Sequence, residues 1–280
     1  MPLFLILFDI AQGGQKERFK MKRIIGAAIF FLLLSAVFWE QNNLRNISIL
    51  QQEKTSLLPE DNEISSDNTD VQKKMAYLTF DDGPSRLTNE YLDILEKEGV
   101  CATFFLIGQQ VDEETEEVVK RSIKNGNEIG IHTYCHKADT IYQSEEACYN
   151  DIMAVNKLLK EKFDYQAKLY RFPWGSVNCY VKYFKKDLAK RLKDEGIEYA
   201  DWNVSGEDSV GYPSVSSIMS NIRKDYEKYN EPVILLHDSA SNKATLQALE
   251  GIIKELKEKG YSFDILSNRS KTCHFGEYPL

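Results

Sequence analysis

The chain has 280 residues, of which 42% are hydrophobic and 28% charged, an ordinary globular balance with room for one large domain or two small ones. Its formal net charge of −8 argues against non-specific nucleic-acid binding, since there is no surplus of cations to displace phosphate counterions. No Gly-rich phosphate loop or basic aromatic stripe is present, and five scattered cysteines without a CxxC pair do not make a disulfide scaffold.

Residues 1–20 hold a short apolar start followed by Lys16, Arg18 and Lys20. A second beginning follows, in which Met21-Lys22-Arg23 precedes the charge-free apolar run 24–39. We therefore read 1–20 as an over-extension upstream of Met21 and 21–40 as a signal anchor. No small-x-small cleavage site follows the run, so retention is favoured over release by cleavage. The basic residues on its N-terminal side leave the remainder extracellular. Residues 41–74 turn to Gln, Asn, Ser, Asp and Glu without apolar periodicity, as expected of an extracellular linker.

From 75 onward, apolar strands alternate with amphipathic helices. Strands are expected at 75–80, 100–107, 128–131, 168–172, 198–204, 232–237 and 261–266, and helices at 88–98, 113–125, 144–162, 180–195, 214–229 and 243–259. Nearly continuous apolar strands in this order predict a parallel sheet covered by helices, closed or nearly closed as a β/α barrel. This α/β domain spans 75–270, with 271–280 as a tail.

In such a fold the chemistry lies just after each strand. Those positions hold Asp81 and Asp82, then His132 and His136, then Arg171-Phe172-Pro173-Trp174-Gly175, then the stretch running to Asp208, and last Leu235-Leu236-His237. A single histidine is more often a core or surface residue than a ligand. Here three of the four histidines fall at strand ends together with a carboxylate pair. The spacing of His132 and His136 allows both to reach one cation, and Asp81 or Asp82 supplies the third ligand while the other acts as base. Two imidazoles and a carboxylate suit a divalent metal, zinc by ligand type, that polarises a carbonyl and lowers the pKa of water.

Thr79-Phe80-Asp81-Asp82-Gly83, His132-Thr133-x-x-His136, Arg171-Phe172-Pro173-Trp174-Gly175 and Leu235-Leu236-His237 resemble, in order, the motifs of the polysaccharide deacetylases. This is the NodB homology domain, carbohydrate esterase family four, and the resemblance covers about residues 75–270. It implies a distorted (β/α)7 barrel that removes acetyl groups from N-acetylglucosamine units with a divalent metal. By motif position Asp81 is the general base, and Asp82, His132 and His136 hold the metal. Arg171 pairs with the base, Trp174 offers its main-chain N–H to the oxyanion, and Leu235 lines the acetyl pocket. His237 is the general acid, and Asp208 matches its carboxylate partner. The pattern departs from the family at Ser209, where many members carry a groove-wall Trp that Trp202 or Trp174 would have to replace, and at Trp174 itself, where many carry Tyr. Cys135, between the metal histidines, is expected to point away from the metal. The anchor makes peptidoglycan the expected substrate, ahead of chitin oligomers or exported poly-N-acetylglucosamine, and ahead of a catalytically silent glycan-binding protein.

Overall fold

The computed structural model describes residues 74–276, so the segments assigned to the over-extension, the anchor and nearly all of the linker lie outside the described residues. Among the described residues no helix is long and apolar enough to cross a membrane. The strands are β1 (Met75–Gly83), β2 (Thr103–Ile107), β3 (Glu128–Thr133), β4 (Leu169–Tyr170), β5 (Glu198–Tyr199), β6 (Val204–Ser205), β7 (Val233–His237) and β8 (Ser262–Phe263). The helices between them are α1 (Thr88–Glu98), α2 (Glu116–Lys124), α3 (Ala138–Ile141), α4 (Glu145–Phe163), α5 (Lys185–Asp194), α6 (Val215–Asp225) and α7 (Lys243–Glu258). Every strand pairing is parallel. The order β5-β4-β3-β2-β1-β7-β6, with β8 added to β1, forms a curled half-barrel, a distorted version of the (β/α)7 architecture.

Strand alternation sorts the side chains. On β1, Ala76, Leu78 and Phe80 join the helix-covered core with Tyr91, Leu95, Ile252 and Ile253. Tyr77 instead shares the barrel interior with Phe105, Leu169, Ala200, Val233 and Leu266. Thr79 and Asp81 follow Tyr77 at the same parity, which brings Asp81 to the carboxyl rim on the interior side. Local signals agree with this layout: Gly99 ends α1 in the left-handed region at φ 63°, and the Ser144 hydroxyl caps α4 by accepting from Ala147 N–H.

Several expected elements are shorter or divided, among them the strand expected over 168–172, which is only Leu169–Tyr170, and three have a visible cause. The single strand expected over 198–204 splits, because β5 pairs with β4 while β6 pairs with β7. The carbonyls of Ala200 and Asp201 between them accept from the Arg171 guanidinium at 3.1 and 2.9 Å rather than from a neighbouring strand. The helix expected from 180 begins only at Lys185. The Asn178 side chain accepts from Tyr180 and Val181 N–H, a local bond that competes with helix formation. The last strand is confined to Ser262–Phe263, because Leu266 N–H donates to Thr103 Oγ1 and draws the chain across the barrel floor.

Packing continues past residue 270. Cys273 is buried, its carbonyl accepts from Asp201 N–H at 2.7 Å, and Phe275 meets Trp202 edge-on at 4.8 Å.

Candidate active site

The rim gathers all nine side chains singled out by sequence. Asp81 on β1 stands in register with His237 on β7, and one rung below Thr79 faces Leu235. The proposed base and acid therefore project from neighbouring strands at one level, over a buried Leu235.

Asp81 is nearly enclosed, and its Oδ1 accepts from Arg171 Nη1 at 2.9 Å. Arg171 is fully buried. The same Nη1 donates to Thr79 Oγ1 at 2.7 Å, and the guanidinium lies 4.2 Å from the Phe105 ring centroid. With Nε on the Ala200 carbonyl and Nη2 on that of Asp201, four of its five N–H donors have protein acceptors, which compensates the buried charge. Its rigid fork orients the Asp81 carboxylate.

Asp82, His132 and His136 form the one group of potential metal ligands among the described residues, with one ligand atom from each lying within 4.8 Å of the others. Asp82 Oδ1 is 3.4 Å from Nε2 of both histidines and is buried without a hydrogen-bond partner. His132 Nδ1 lies 2.9 Å from the Arg171 carbonyl. A carbonyl can only accept, so Nδ1 carries the proton and Nε2 turns to the group. Burial pushes the Asp82 carboxyl up, but His132, His136 and His237 together carry it down to about 2. For His136, burial and the neighbouring His132 outweigh Asp82 and lower its pKa. An orphaned carboxylate oxygen facing two imidazole nitrogens, one with a fixed tautomer, fits a divalent cation. Cys135 does not join the group; it packs against the helix-covered core.

Across the rim, His237 Nδ1 is 2.8 Å from Asp208 Oδ1, and His237 N–H donates to Oδ2 at 2.8 Å. Burial opposes the imidazolium, but the Asp208 hydrogen bond and charge, with Asp81 and Asp82 behind them, raise its pKa to about 9. Its protonated form is thus available at neutral pH.

Backbone conformation is unusual at the same place. Asp82, His136 and Trp174 have φ of 70°, 52° and 63°, a region that non-glycine residues seldom adopt and that clusters at functional sites. In the Trp174 turn, Gly175 N–H closes back on the Phe172 carbonyl at 2.8 Å. Trp174 N–H has no acceptor among the described residues, so it is available to an oxyanion. Of the two tryptophans that might replace the wall missing at Ser209, Trp174 is half exposed beside His136, with ring centroids 5.0 Å apart. Trp202 turns inward to Phe275 and Arg171.

Several supporting residues escaped the sequence reading. Asp201 is buried and accepts from Ser176 N–H, Ser176 Oγ and Phe275 N–H, bracing the Trp174 turn from below. Asp151 on α4 accepts from Thr133 Oγ1 and Tyr134 N–H, both at 2.7 Å, and so fixes the loop between the two histidines. Thr245 and Asn242 hold Asp208. Asp201 fell inside the strand expected over 198–204, and it follows a strand end only because that strand splits after β5. A lone acid on a helix such as Asp151 carries no signal. The fourth histidine, His274, stacks on Tyr199 at 4.1 Å, away from the rim.

A half-barrel whose rim brings together an enclosed carboxylate, a carboxylate-backed imidazole and three potential metal ligands has the equipment of a hydrolase. The model of the polysaccharide deacetylase family matches residues 68–200. A peptidoglycan-N-acetylglucosamine deacetylase of Bacillus cereus is 33% identical over 206 residues, covering 72% of this chain and 91% of that protein. A bifunctional xylanase/deacetylase of Pseudobutyrivibrio xylanivorans is 38% identical over 203 residues, 72% of this chain but only 31% of that protein. Among solved structures, the catalytic domain of a peptidoglycan N-acetylglucosamine deacetylase from Eubacterium rectale superposes with a TM-score of 0.65 at 31% identity, covering 77% of this chain and 96% of that one. The chain belongs to the polysaccharide deacetylase family, and it is an enzyme of the carbohydrate-deacetylase type.

Proposed function

We propose that the protein removes N-acetyl groups from N-acetylglucosamine residues of peptidoglycan on the outer side of the membrane, with zinc held by Asp82, His132 and His136. The observation that carries this reading is the pairing, on neighbouring strands, of Asp81 held by Arg171 with His237 held by Asp208. When bound, the metal would polarise the acetamide carbonyl and make water more acidic. Asp81 accepts the proton of the attacking water. Trp174 N–H donates to the oxyanion as the carbonyl becomes tetrahedral. His237 gives its proton to the departing amine, and Asp208 stabilises the imidazolium until it does so. Leu235 gives the acetyl methyl an apolar wall. Acetate leaves, and the glucosamine unit remains in the glycan with a free amine.

The N-terminal run 21–40 supports an anchored, extracellular placement, in which peptidoglycan is the nearest polymer. The test is acetate release by the full-length protein from purified peptidoglycan sacculi and from chitin oligomers, with and without chelator. Release from sacculi that chelator abolishes and zinc restores is expected. Release from oligomers alone would refute the peptidoglycan assignment, and release from neither would refute the activity. Asp81→Asn should abolish turnover while bound metal, measured by atomic absorption, stays near the parent level; turnover close to the parent's would remove Asp81 from the base role.

A further inference from the structure

Beyond the rim, the chain after the Trp174 turn carries an aromatic surface with no role in the chemistry above. Tyr180 lies flat on Tyr142, with centroids 5.5 Å apart and planes 10° from parallel. Trp174 leans against both rings at 6.2 Å. Tyr180 is 50% exposed and Trp174 52%, so a tilted apolar wall meets solvent beside the metal ligands. An exposed apolar face beside a site is suited to covering by a bound ligand.

The wall is held in shape. Asn178 Nδ2 donates to the Pro173 and Gly175 carbonyls at 3.1 and 2.7 Å, and its Oδ1 accepts from Tyr180 N–H at 2.9 Å. The Tyr142 hydroxyl donates to the Pro173 carbonyl at 3.0 Å. One asparagine thus ties the turn that offers Trp174 N–H to the loop that presents Tyr180. By contrast Tyr183, on the same loop and 86% exposed, stacks on no aromatic ring among the described residues, and the Lys182 ammonium lies 5.7 Å from its centroid.

We propose that Tyr180, backed by Tyr142, is a specificity-determining residue that stacks on the sugar ring adjoining the one being deacetylated. The inference rests on the glycan-deacetylase reading. The wall is continuous with the site, since His136 meets Trp174 at 5.0 Å and Trp174 meets Tyr180 at 6.2 Å. These steps are comparable to the rise of one pyranose along a glycan. The C–H face of a pyranose is flat and apolar, whereas its rim of hydroxyls remains in water, so an uncharged aromatic face matches it without desolvating a charge. A glycan running outward past Trp174 meets Tyr180 with its next ring, and a single sugar does not reach it.

The test measures binding separately from turnover. N-acetylglucosamine itself and its tetrasaccharide are titrated by calorimetry into the full-length, zinc-loaded Asp81→Asn protein, alone and combined with Tyr180→Ala, Tyr180→Phe or Tyr183→Ala. Tyr180→Ala should weaken tetrasaccharide binding about tenfold, the upper range for one aromatic stack, with a much smaller effect on the monosaccharide. Tyr180→Phe should restore the affinity, and Tyr183→Ala should match the parent. Equal losses for both ligands, no loss for the tetrasaccharide, or no binding of either would overturn the proposal. Acetate release by the unsubstituted protein reports on the activity itself. Length-dependent binding without release would therefore overturn the deacetylase reading and leave the Tyr180 subsite standing.

Discussion

The exchange Asp208→Asn tests the acid more sharply than removal of His237 itself. Asp208 receives His237 Nδ1 on one oxygen and His237 N–H and the Thr245 hydroxyl on the other. An amide of the same shape can keep the second set while presenting NH2 to Nδ1, which must then accept instead of donate. The imidazolium loses its partner, and burial, the largest influence on it, is opposed only by the Asp81 and Asp82 charges. A pKa of about 9 should fall toward the ordinary value near 6.5, a shift of about two units, worth roughly 3 kcal/mol. At pH 7.5 the protonated fraction drops from about 97% toward about 10%. The rate should therefore fall by up to about tenfold at that pH, and the alkaline limb of the kcat/KM profile should move toward acid by about two units. A bound divalent cation lowers the starting value, but it does so in both proteins and leaves the difference. The assay is acetate release from pH 5 to 10, paired with a thermal melt to verify folding. An alkaline limb that stays in place while the rate drops would show that Asp208 acts only structurally and that His237 does not supply the proton.

Two further changes probe the supports of the site. Arg171→Met leaves the enclosed Asp81 carboxylate and the Ala200 and Asp201 carbonyls without their donor, and should destabilise the fold by about 3–5 kcal/mol in urea titration; a loss under about 1 kcal/mol would contradict the role assigned to the fork. Asp238 is buried and accepts from Ser85 Oγ at 2.9 Å and Thr88 Oγ1 at 2.6 Å, and burial, opposed by those hydroxyls and reinforced by Asp82, raises its pKa to about 7. The folded protein then binds more protons at this position than the unfolded chain between about pH 4 and 7, so stability falls as pH rises through that window, by up to about 4 kcal/mol. Urea midpoints of the metal-free protein at pH 5 and 8 should show the fall, and Asp238→Asn should flatten it; an equal fall in both proteins would place its origin elsewhere.

What was legible in the sequence was whatever the parallel fold concentrates. Residues that end strands are brought to one rim by topology alone, which is why Asp81, Asp82, His132, His136, Arg171 and His237 could be found along a linear chain. Their supports obey no such rule. Thr245 reaches Asp208 across 37 positions and Asp201 reaches Ser176 across 25, by bonds that any polar side chain at the right distance could make. The split of 198–204 was hidden for a related reason. Its apolar pattern suits a strand throughout, and only the presence of the Arg171 guanidinium beneath Ala200 and Asp201 takes their carbonyls out of the ladder. Asn178 likewise reads as an ordinary loop residue until its side chain is seen to hold both Tyr180 N–H and the Trp174 turn.

The packing of residues 273–276 bears on how the catalytic domain can be cut or fused. Asp201 braces Ser176 with its side chain, receives Phe275 N–H on the same carboxylate, and donates its own N–H to Cys273; Phe275 also fills the space that a Cβ on Gly175 would enter. A fragment ending at 270 would retain every base, acid and ligand yet loosen the floor under the turn that offers Trp174 N–H. Its deficit would be one of aim, visible as weakened oxyanion stabilisation in a protein that still binds its metal.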